Sequence, residues 1–152
     1  MTIVAVPPDS EEAVSLMQAL DDDLGCRYPG IEIRGLRPED VTDHRLVFLV
    51  ARAEGEGVGC GAVRELQPGI GEVKRMFVKP EWRGRGIARQ LLAALELKAR
   101  ERGYQALRIE TGVGQPEAIA LYRSAGYTAI PPFGGYIGNP ASVCFEKRSS
   151  WV

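Results

Sequence analysis

The pattern of apolar and polar positions along the chain predicts short strands interspersed with amphipathic helices. Alternating or β-branched stretches predict strands at residues 2–6, 45–53, 58–66, 72–79, 106–111, 127–130 and 142–147. Apolar residues at helical spacing predict helices at residues 10–24, 86–103 and 116–126, with the start of a further short helix near residue 38. Strict alternation along 72–79 predicts Val73, Arg75 and Phe77 on one face, and Glu72, Lys74, Met76 and Val78 on the other.

The length and composition predict a single domain that spans residues 1–152. The chain has 152 residues, 45% of them apolar and 26% charged, which suffices for one proper core. The longest apolar run, 46–51, is strand-sized, and residues 1–30 contain no signal-peptide core, so we expect a soluble cytoplasmic protein. Cys26, Cys60 and Cys144 have no C-x-x-C spacing and His44 is the sole histidine, so we expect reduced cysteines and no metal site.

The net charge of −1 hides an asymmetry between the two parts of the chain. Residues 1–44 sum to −7 and the remainder to +6. Such a split is compatible with an acidic part that attracts a cationic substrate and a basic part that holds an anionic cofactor, although surface composition alone explains it equally well. The acidic run Asp21-Asp22-Asp23 either contacts substrate or forms a solvated turn.

A basic glycine turn at residues 83–88, Arg-Gly-Arg-Gly-Ile-Ala, leads from the strand at 72–79 into the next helix. Helices usually open with a polar cap and acidic residues, because their first amides are unpaired and partly positive. Here glycines and arginines stand instead, which predicts a phosphate or pyrophosphate seated on the free amides. A solvated basic turn is the alternative. The spacing fits neither of two common phosphate motifs, G-x-x-x-x-G-K-[ST] and G-x-G-x-x-G.

The same turn reads R-x-x-G-x-[GA] after Val-x-Pro, and this resembles the coenzyme A pyrophosphate loop of the GNAT superfamily of N-acetyltransferases. The similarity continues through 110–112, 115–122, Gly126-Tyr127 and 142–147. The resemblance implies an α/β (α+β) fold with a mixed central sheet of about six to seven strands and about four flanking helices. It also implies that the two central parallel strands, 72–79 and 106–111, splay apart.

The resemblance further implies acetyl-CoA (coenzyme A) as co-substrate, with no metal. Backbone groups around Met76, Phe77 and Val78 would hold the acetyl carbonyl and the pantetheine arm. The amides of the glycine turn would hold the pyrophosphate: Arg83, Gly84, Arg85, Gly86, Ile87 and Ala88. Gln115 occupies the position of an asparagine that contacts the cofactor in the family, so that contact is open here.

Two catalytic roles follow from the resemblance. Tyr122 matches the tyrosine that protonates the coenzyme A thiolate, and Glu72 matches a glutamate that removes the amine's proton in some members. Either could instead be structural, Tyr122 as a core tyrosine and Glu72 as the partner of Lys74 or Arg64. No Ser-His-Asp or Cys-His set is present, so acyl-enzyme chemistry is not expected.

The expected function is transfer of an acetyl group from acetyl-CoA to a primary amine of a small molecule, by direct attack in a ternary complex. Lys74 and Arg75 favour an amino-acid-like acceptor, and Phe133 and Tyr136 would help wall its pocket. Two alternatives are a non-catalytic acyl-CoA sensor and acetylation of a protein or peptide amine. We expect no nucleic-acid or membrane partner and leave a homodimer open. The acceptor's identity is also left open.

Overall fold

Seven strands form one sheet in the computed structural model, which describes residues 1–30 and 45–148. The strands are β1 (Thr2–Val6), β2 (Val47–Ala53), β3 (Glu56–Gln67), β4 (Ile70–Val78), β5 (Ala106–Gly112), β6 (Thr128–Ile130) and β7 (Ser142–Arg148). Their spatial order is β1-β2-β3-β4-β5-β7-β6. Among these strands only β4 and β5 pair in parallel. They lie in the middle of the sheet, as expected.

Three α-helices flank the sheet: α1 (Glu11–Arg27), α2 (Ile87–Glu101) and α3 (Pro116–Ser124). Short 3-10 turns occur at Pro80–Trp82 and Gly134–Tyr136. About four helices were expected, and the described residues contain three. The expected short helix near residue 38 and His44 lie outside the described residues. None of the described helices is long and apolar enough to cross a membrane.

Apolar side chains fill two cores, one on each face of the sheet. Helix α2 buries its apolar stripe on one face, where Leu91 and Leu95 contact side chains of β3 and β4. Helix α1 covers part of the other face with Leu16 and Leu20. The Ser10 side chain accepts a hydrogen bond of 3.2 Å from the amide of Ala13 and so caps α1.

A bulge interrupts β4 where it passes the centre of the sheet. Cys60 of β3 pairs with Phe77, and Ala62 pairs with Lys74, so two residues of β4 lie opposite the single residue Gly61. One of those two residues, Arg75, has the left-handed φ of 59°. Gly61 allows close packing there: a Cβ at that position would lie 2.6 Å from the Sδ of Met76 and 2.9 Å from the Cδ1 of Leu95, so those side chains would have to shift.

The bulge makes the predicted alternation along β4 wrong beyond Lys74. Val73 and Val78 lie in the core beneath α2, whereas Phe77 lies in the core beneath α1. One extra residue in a strand turns every later side chain to the opposite face. The fold class is nevertheless as predicted, a mixed α/β sheet with helices on both faces.

Candidate active site

Strands β4 and β5 separate at the centre of the sheet. Val73 and Ile109 form the last pair of their parallel ladder, although β4 continues to Val78 and β5 to Gly112. Beyond that pair, the edge of β4 that faces β5 has no strand beside it among the described residues. Free backbone donors and acceptors on such an edge can pair with an extended ligand as they would with another strand.

A groove of about 310 Å³ opens from this gap. Three separate stretches of chain line it: α1, the stretch from β4 through the glycine turn to the start of α2, and the start of α3 with Gln115 before it. Nine of the ten predicted cofactor residues are among them: Met76, Phe77, Val78, Arg83, Gly84, Gly86, Ile87, Ala88 and Gln115. Arg85 does not line the groove.

The glycine turn presents an uncapped helix end to the groove. Gly84 and Gly86 have φ values of 78° and 79°, which side chains other than glycine adopt at a cost. Helix α2 has no side-chain cap and no acidic residue in its first turn. Its ladder begins with the amide of Gln90, which donates to the carbonyl of Gly86 at 3.1 Å. The preceding amides are therefore oriented to receive an anion.

The three arginines of this region are held by different contacts. Arg83 donates from Nε to the carbonyl of Val78 at 2.9 Å, and its guanidinium lies 5.7 Å from the ring centre of Phe77. The Arg85 guanidinium stacks 4.6 Å from the ring centre of Trp82, and Arg85 does not line the groove. Arg89 donates to Ser124 Oγ at 2.7 Å. Arg83 and Arg89 line the groove and, together with Arg27 of α1, supply its positive charge.

Tyr122 of α3 lies at the junction of two cavities. It lines the groove and also a smaller pocket of about 90 Å³. Its ring packs 6.2 Å from the ring centres of Tyr127 and Phe145, and the residue is 4% exposed. Burial raises the pKa of the Tyr122 hydroxyl, with the charge of Glu110 acting in the same direction. The hydroxyl therefore remains protonated and able to donate.

The smaller pocket lies between the splayed strands, α1 and the turn at Gly134–Tyr136. Its polar lining includes Lys74 of β4, Glu110 of β5 and Tyr136, while Leu20 and Leu24 of α1 form an apolar side. The expectation that Tyr136 would help wall a second pocket is consistent with this geometry. Phe133 does not line it but packs edge-on against Tyr136 at 5.3 Å between ring centres.

Glu72 is buried outside both cavities. It is 1% exposed, and its Oε1 lies 3.2 Å from Nη2 of Arg64. Its Oε2 accepts a hydrogen bond of 2.7 Å from the hydroxyl of Tyr136. The ion pair with Arg64, one of the two structural alternatives, is therefore present, and Glu72 faces the smaller pocket only through Tyr136.

Glu110 is the residue of this site that the sequence reasoning missed as a candidate. It lines the smaller pocket with Tyr122, and its Oε2 accepts a hydrogen bond of 2.7 Å from Ser142 Oγ. Burial raises the pKa of the Glu110 carboxyl, and it outweighs the opposing hydrogen bond from Ser142. The sequence carries no signal for this position, because it does not show where β5 separates from β4.

Gln115 holds the loop between β5 and α3. Its Oε1 accepts from the amide of Gly112 at 3.2 Å, and the hydroxyl of Tyr28 lies 3.5 Å away. Tyr28 in turn accepts from the amide of Gly114 at 3.0 Å. The carbonyl end of Gln115 therefore acts within the loop, although the residue also lines both cavities.

Comparison with known proteins shows which family the chain belongs to. The profile of the acetyltransferase (GNAT) family matches residues 14–127. An IAA acetyltransferase of Azospirillum brasilense is 43% identical over 148 residues, which cover 97% of both chains. An aminoglycoside N(6')-acetyltransferase type 1 of Stenotrophomonas maltophilia is 34% identical over 90 residues, or 53% of this chain and 58% of that protein.

Among solved structures, one from Klebsiella pneumoniae subsp. pneumoniae that is described as an acyl-CoA N-acyltransferase has a TM-score of 0.82. It is 38% identical, and the match covers 97% of this chain and 96% of that one. The chain therefore belongs to the GNAT acetyltransferase family and is an acyl-CoA-dependent N-acetyltransferase.

Proposed function

We propose that this protein transfers an acetyl group from acetyl-CoA to the primary amine of a small, amino-acid-like molecule within a ternary complex. The observation that carries the proposal is the junction of the two cavities at Tyr122. A thioester that reaches this junction from the groove can meet an amine that reaches it from the smaller pocket. Direct attack then needs no acyl-enzyme.

The cofactor half of the proposal is supported by the helix end and the free strand edge. Pyrophosphate oxygens accept from the amides that precede Gln90, with Arg83 and Arg89 as charged neighbours. The pantetheine arm lies along β4 from Met76 to Val78, beside the unpaired edge. A β4 backbone amide near the bulge stabilises the charge that develops on the acetyl oxygen.

Tyr122 is proposed to protonate the departing thiolate. Its hydroxyl has no hydrogen-bond partner among the described residues, and it stands where the two cavities join. Because its raised pKa keeps it neutral, the proton is available when negative charge appears on sulfur. Glu72, the base that the resemblance implies, reaches the smaller pocket only through Tyr136.

The acceptor half is supported by the opposite charges that line the smaller pocket. Glu110 suits an ammonium or amine, and Lys74 suits a carboxylate on the same molecule. The similarity to an IAA acetyltransferase and to an aminoglycoside N(6')-acetyltransferase makes small molecules, rather than proteins, the first acceptors to test. Arg75 also lines this pocket, but its Nη2 is already engaged by the carbonyl of Met17 and the carboxylate of Asp21 in α1.

The test is a screen of the twenty common L-amino acids and their decarboxylated amines with acetyl-CoA, measured as release of free thiol. We expect saturable turnover with at least one amino acid and a lower kcat/KM for its decarboxylated partner. Isothermal calorimetry with coenzyme A measures cofactor binding separately. Binding of coenzyme A without turnover of any small amine would instead favour a sensor or a peptide acceptor.

A further inference from the structure

Two glutamates lie on one face of the sheet, and one of them reaches the smaller pocket. Glu72 pairs with Arg108 across the parallel ladder, and Glu110 follows Arg108 by two residues, so the three side chains share a face. Glu110 lines the pocket together with Tyr122, whereas Glu72 lines neither cavity. Glu110 can therefore contact an acceptor in this pocket directly, whereas Glu72 cannot.

The oxygens of Glu72 are turned to protein groups. Oε1 contacts the guanidinium of Arg64, and Oε2 accepts from the hydroxyl of Tyr136. Tyr136 belongs to a 3-10 turn between β6 and β7, so this hydrogen bond fixes the turn over the sheet. Of the two residues joined by this hydrogen bond, Tyr136 lines the smaller pocket and Glu72 does not.

Glu110 is in the opposite situation. Its hydrogen bond comes from the neutral hydroxyl of Ser142, and burial raises the pKa of its carboxyl. The titratable groups around it come from β4, α3, the 3-10 turn and β7, and they are Glu72, Lys74, Tyr122, Tyr136 and Cys144. A carboxylate with raised proton affinity, open to the pocket that holds the nucleophile, meets the requirements for a general base.

We infer that Glu110 is the catalytic base that takes the proton of the acceptor amine, and that Glu72 is a positioning residue that acts by holding Tyr136 against the acceptor. This inference rests on the proposed acetyl transfer. It assigns to the second of the splayed strands the role that the resemblance gave to the first.

The reaction balances with the groups present. The nitrogen lone pair forms the carbon–nitrogen bond, and the electrons of the broken carbon–sulfur bond remain on sulfur. The surplus proton on nitrogen goes to Glu110, and sulfur takes the hydroxyl proton of Tyr122. The proton on Glu110 then returns to Tyr122 through solvent, so both side chains end as they began.

The first test compares Glu110→Gln with Glu110→Asp and with Glu101→Gln, a control at the exposed far end of α2. The acceptor is the fastest amino acid of the screen above. We expect Glu110→Gln to lower kcat by about 10²- to 10⁴-fold, with the KM for acetyl-CoA within about threefold. Glu110→Asp should recover part of the rate. The acidic limb of the kcat–pH profile should disappear in Glu110→Gln.

The second test is a double-mutant cycle on Glu72→Gln and Tyr136→Phe. If Glu72 acts through Tyr136, each single variant should raise the acceptor KM by about tenfold, and the double variant should do no worse than either. The acidic limb of the pH profile should remain in all three. Loss of that limb in Glu72→Gln, with its retention in Glu110→Gln, would overturn the inference.

Two further results separate this inference from the proposed function. If the wild type binds no coenzyme A and acetylates no amine, the proposed function fails. If the wild type is active and Glu110→Gln changes only the acceptor KM, Glu110 binds the amine without accepting its proton, and the inference fails. Carbon-13 NMR titration of the Glu110 carboxyl tests it without turnover, since a midpoint at the ordinary glutamate value of about 4.3 would also overturn it.

Discussion

Arg75 donates from Nη2 to Oδ1 of Asp21 at 2.8 Å and so joins the bulge of β4 to helix α1. The same nitrogen donates to the carbonyl of Met17 at 3.0 Å. Asp23 pairs with Arg27 at 3.1 Å, and Asp22 accepts from Gln18. The acidic run is therefore engaged in contacts within the protein. Asp23 also lines the groove.

Replacement of Asp21 by Asn should destabilise the fold. The side chain of Arg75 is 5% exposed and its buried Nε has no partner among the described residues, so the guanidinium depends on Asp21 for its counter-charge. Because Asp21 is partly exposed, we expect the free energy of unfolding to fall by about 1–3 kcal/mol. Urea denaturation measures this, with Asp22→Asn as the matched control. Equal stability of the two variants would show that the pair contributes little.

The glycine turn should lose coenzyme A when an acidic side chain is placed in it. A Cβ at Gly86 meets no atom within 4 Å, so a larger side chain fits, although the φ of 79° makes any substitution strained. Gly86→Ala controls for that strain. We expect calorimetry to find coenzyme A bound at least about 100-fold more weakly by Gly86→Glu than by Gly86→Ala, because the carboxylate occupies the phosphate site. Similar coenzyme A affinities of the two variants would show that the phosphate does not bind at this turn.

Features that depend on neighbouring residues were predictable from the sequence. The uncapped start of α2 follows from the glycines and arginines before it, and the conformation of Gly86 agrees with that reasoning. Features that depend on distant residues were not predictable. The hydrogen bond between Tyr136 and Glu72 joins positions 64 residues apart. The bulge at Arg75, a residue that contacts the distant helix α1, reverses the faces that alternation predicts.

The residues of the pocket also divide into those that local sequence indicates and those that only the assembled fold reveals. Tyr122 was identified because its spacing from Gln115 and Ala118 lies within a single helix. Glu110 was missed because its importance comes from where β5 leaves β4, and the sequence carries no mark of the last paired residue. Burial and hydrogen-bond partners distinguish Glu72 from Glu110, and both become visible only in the assembled sheet.

Removal of the Tyr122 hydroxyl should slow the chemical step and leave cofactor binding nearly unchanged. Tyr122→Phe is expected to lower kcat by about ten- to a thousandfold, since the thiolate then lacks its proton donor. Tyr127→Phe is a matched control, because that tyrosine is also buried but donates to Glu96 at 2.8 Å. It should change stability more than kcat. Near wild-type turnover in Tyr122→Phe would make Tyr122 a packing residue.

Glu110, the proposed base, should destabilise the folded protein at neutral pH. Because the folded-state pKa of Glu110 is raised, the folded protein holds this proton more tightly than the unfolded chain. Stability should therefore fall as pH rises from the unfolded value of about 4.3 through the folded value. Glu110→Gln removes this loss. Urea denaturation at pH 4.5 and 7.5 should show the variant gaining relative to wild type at the higher pH, and a constant difference would contradict the raised pKa.

Recognition of an acceptor carboxylate should depend on Lys74. This side chain lines the smaller pocket close enough to Glu110 to affect its pKa, so one molecule with an amine and a carboxylate can contact both. Lys74→Met keeps most of the aliphatic volume and removes the charge. We expect Lys74→Met to raise the KM of an amino-acid acceptor by about 10- to 100-fold. The KM of the corresponding decarboxylated amine should change by less than about threefold.

Lys79→Met is the matched control for Lys74→Met, because Lys79 lies just beyond the same strand and pairs with Glu56 at 3.4 Å, outside the pocket. In the wild type, the difference in kcat/KM between the amino acid and its decarboxylated amine should also shrink as the salt concentration rises, to the extent that the pocket admits solvent ions. The decisive comparison is the ratio of kcat/KM for the two acceptors, which cancels general effects on folding and on acetyl-CoA. If Lys74→Met lowers kcat/KM equally for both acceptors, Lys74 does not bind the carboxylate. An acceptor that carries only an amine then becomes the better hypothesis.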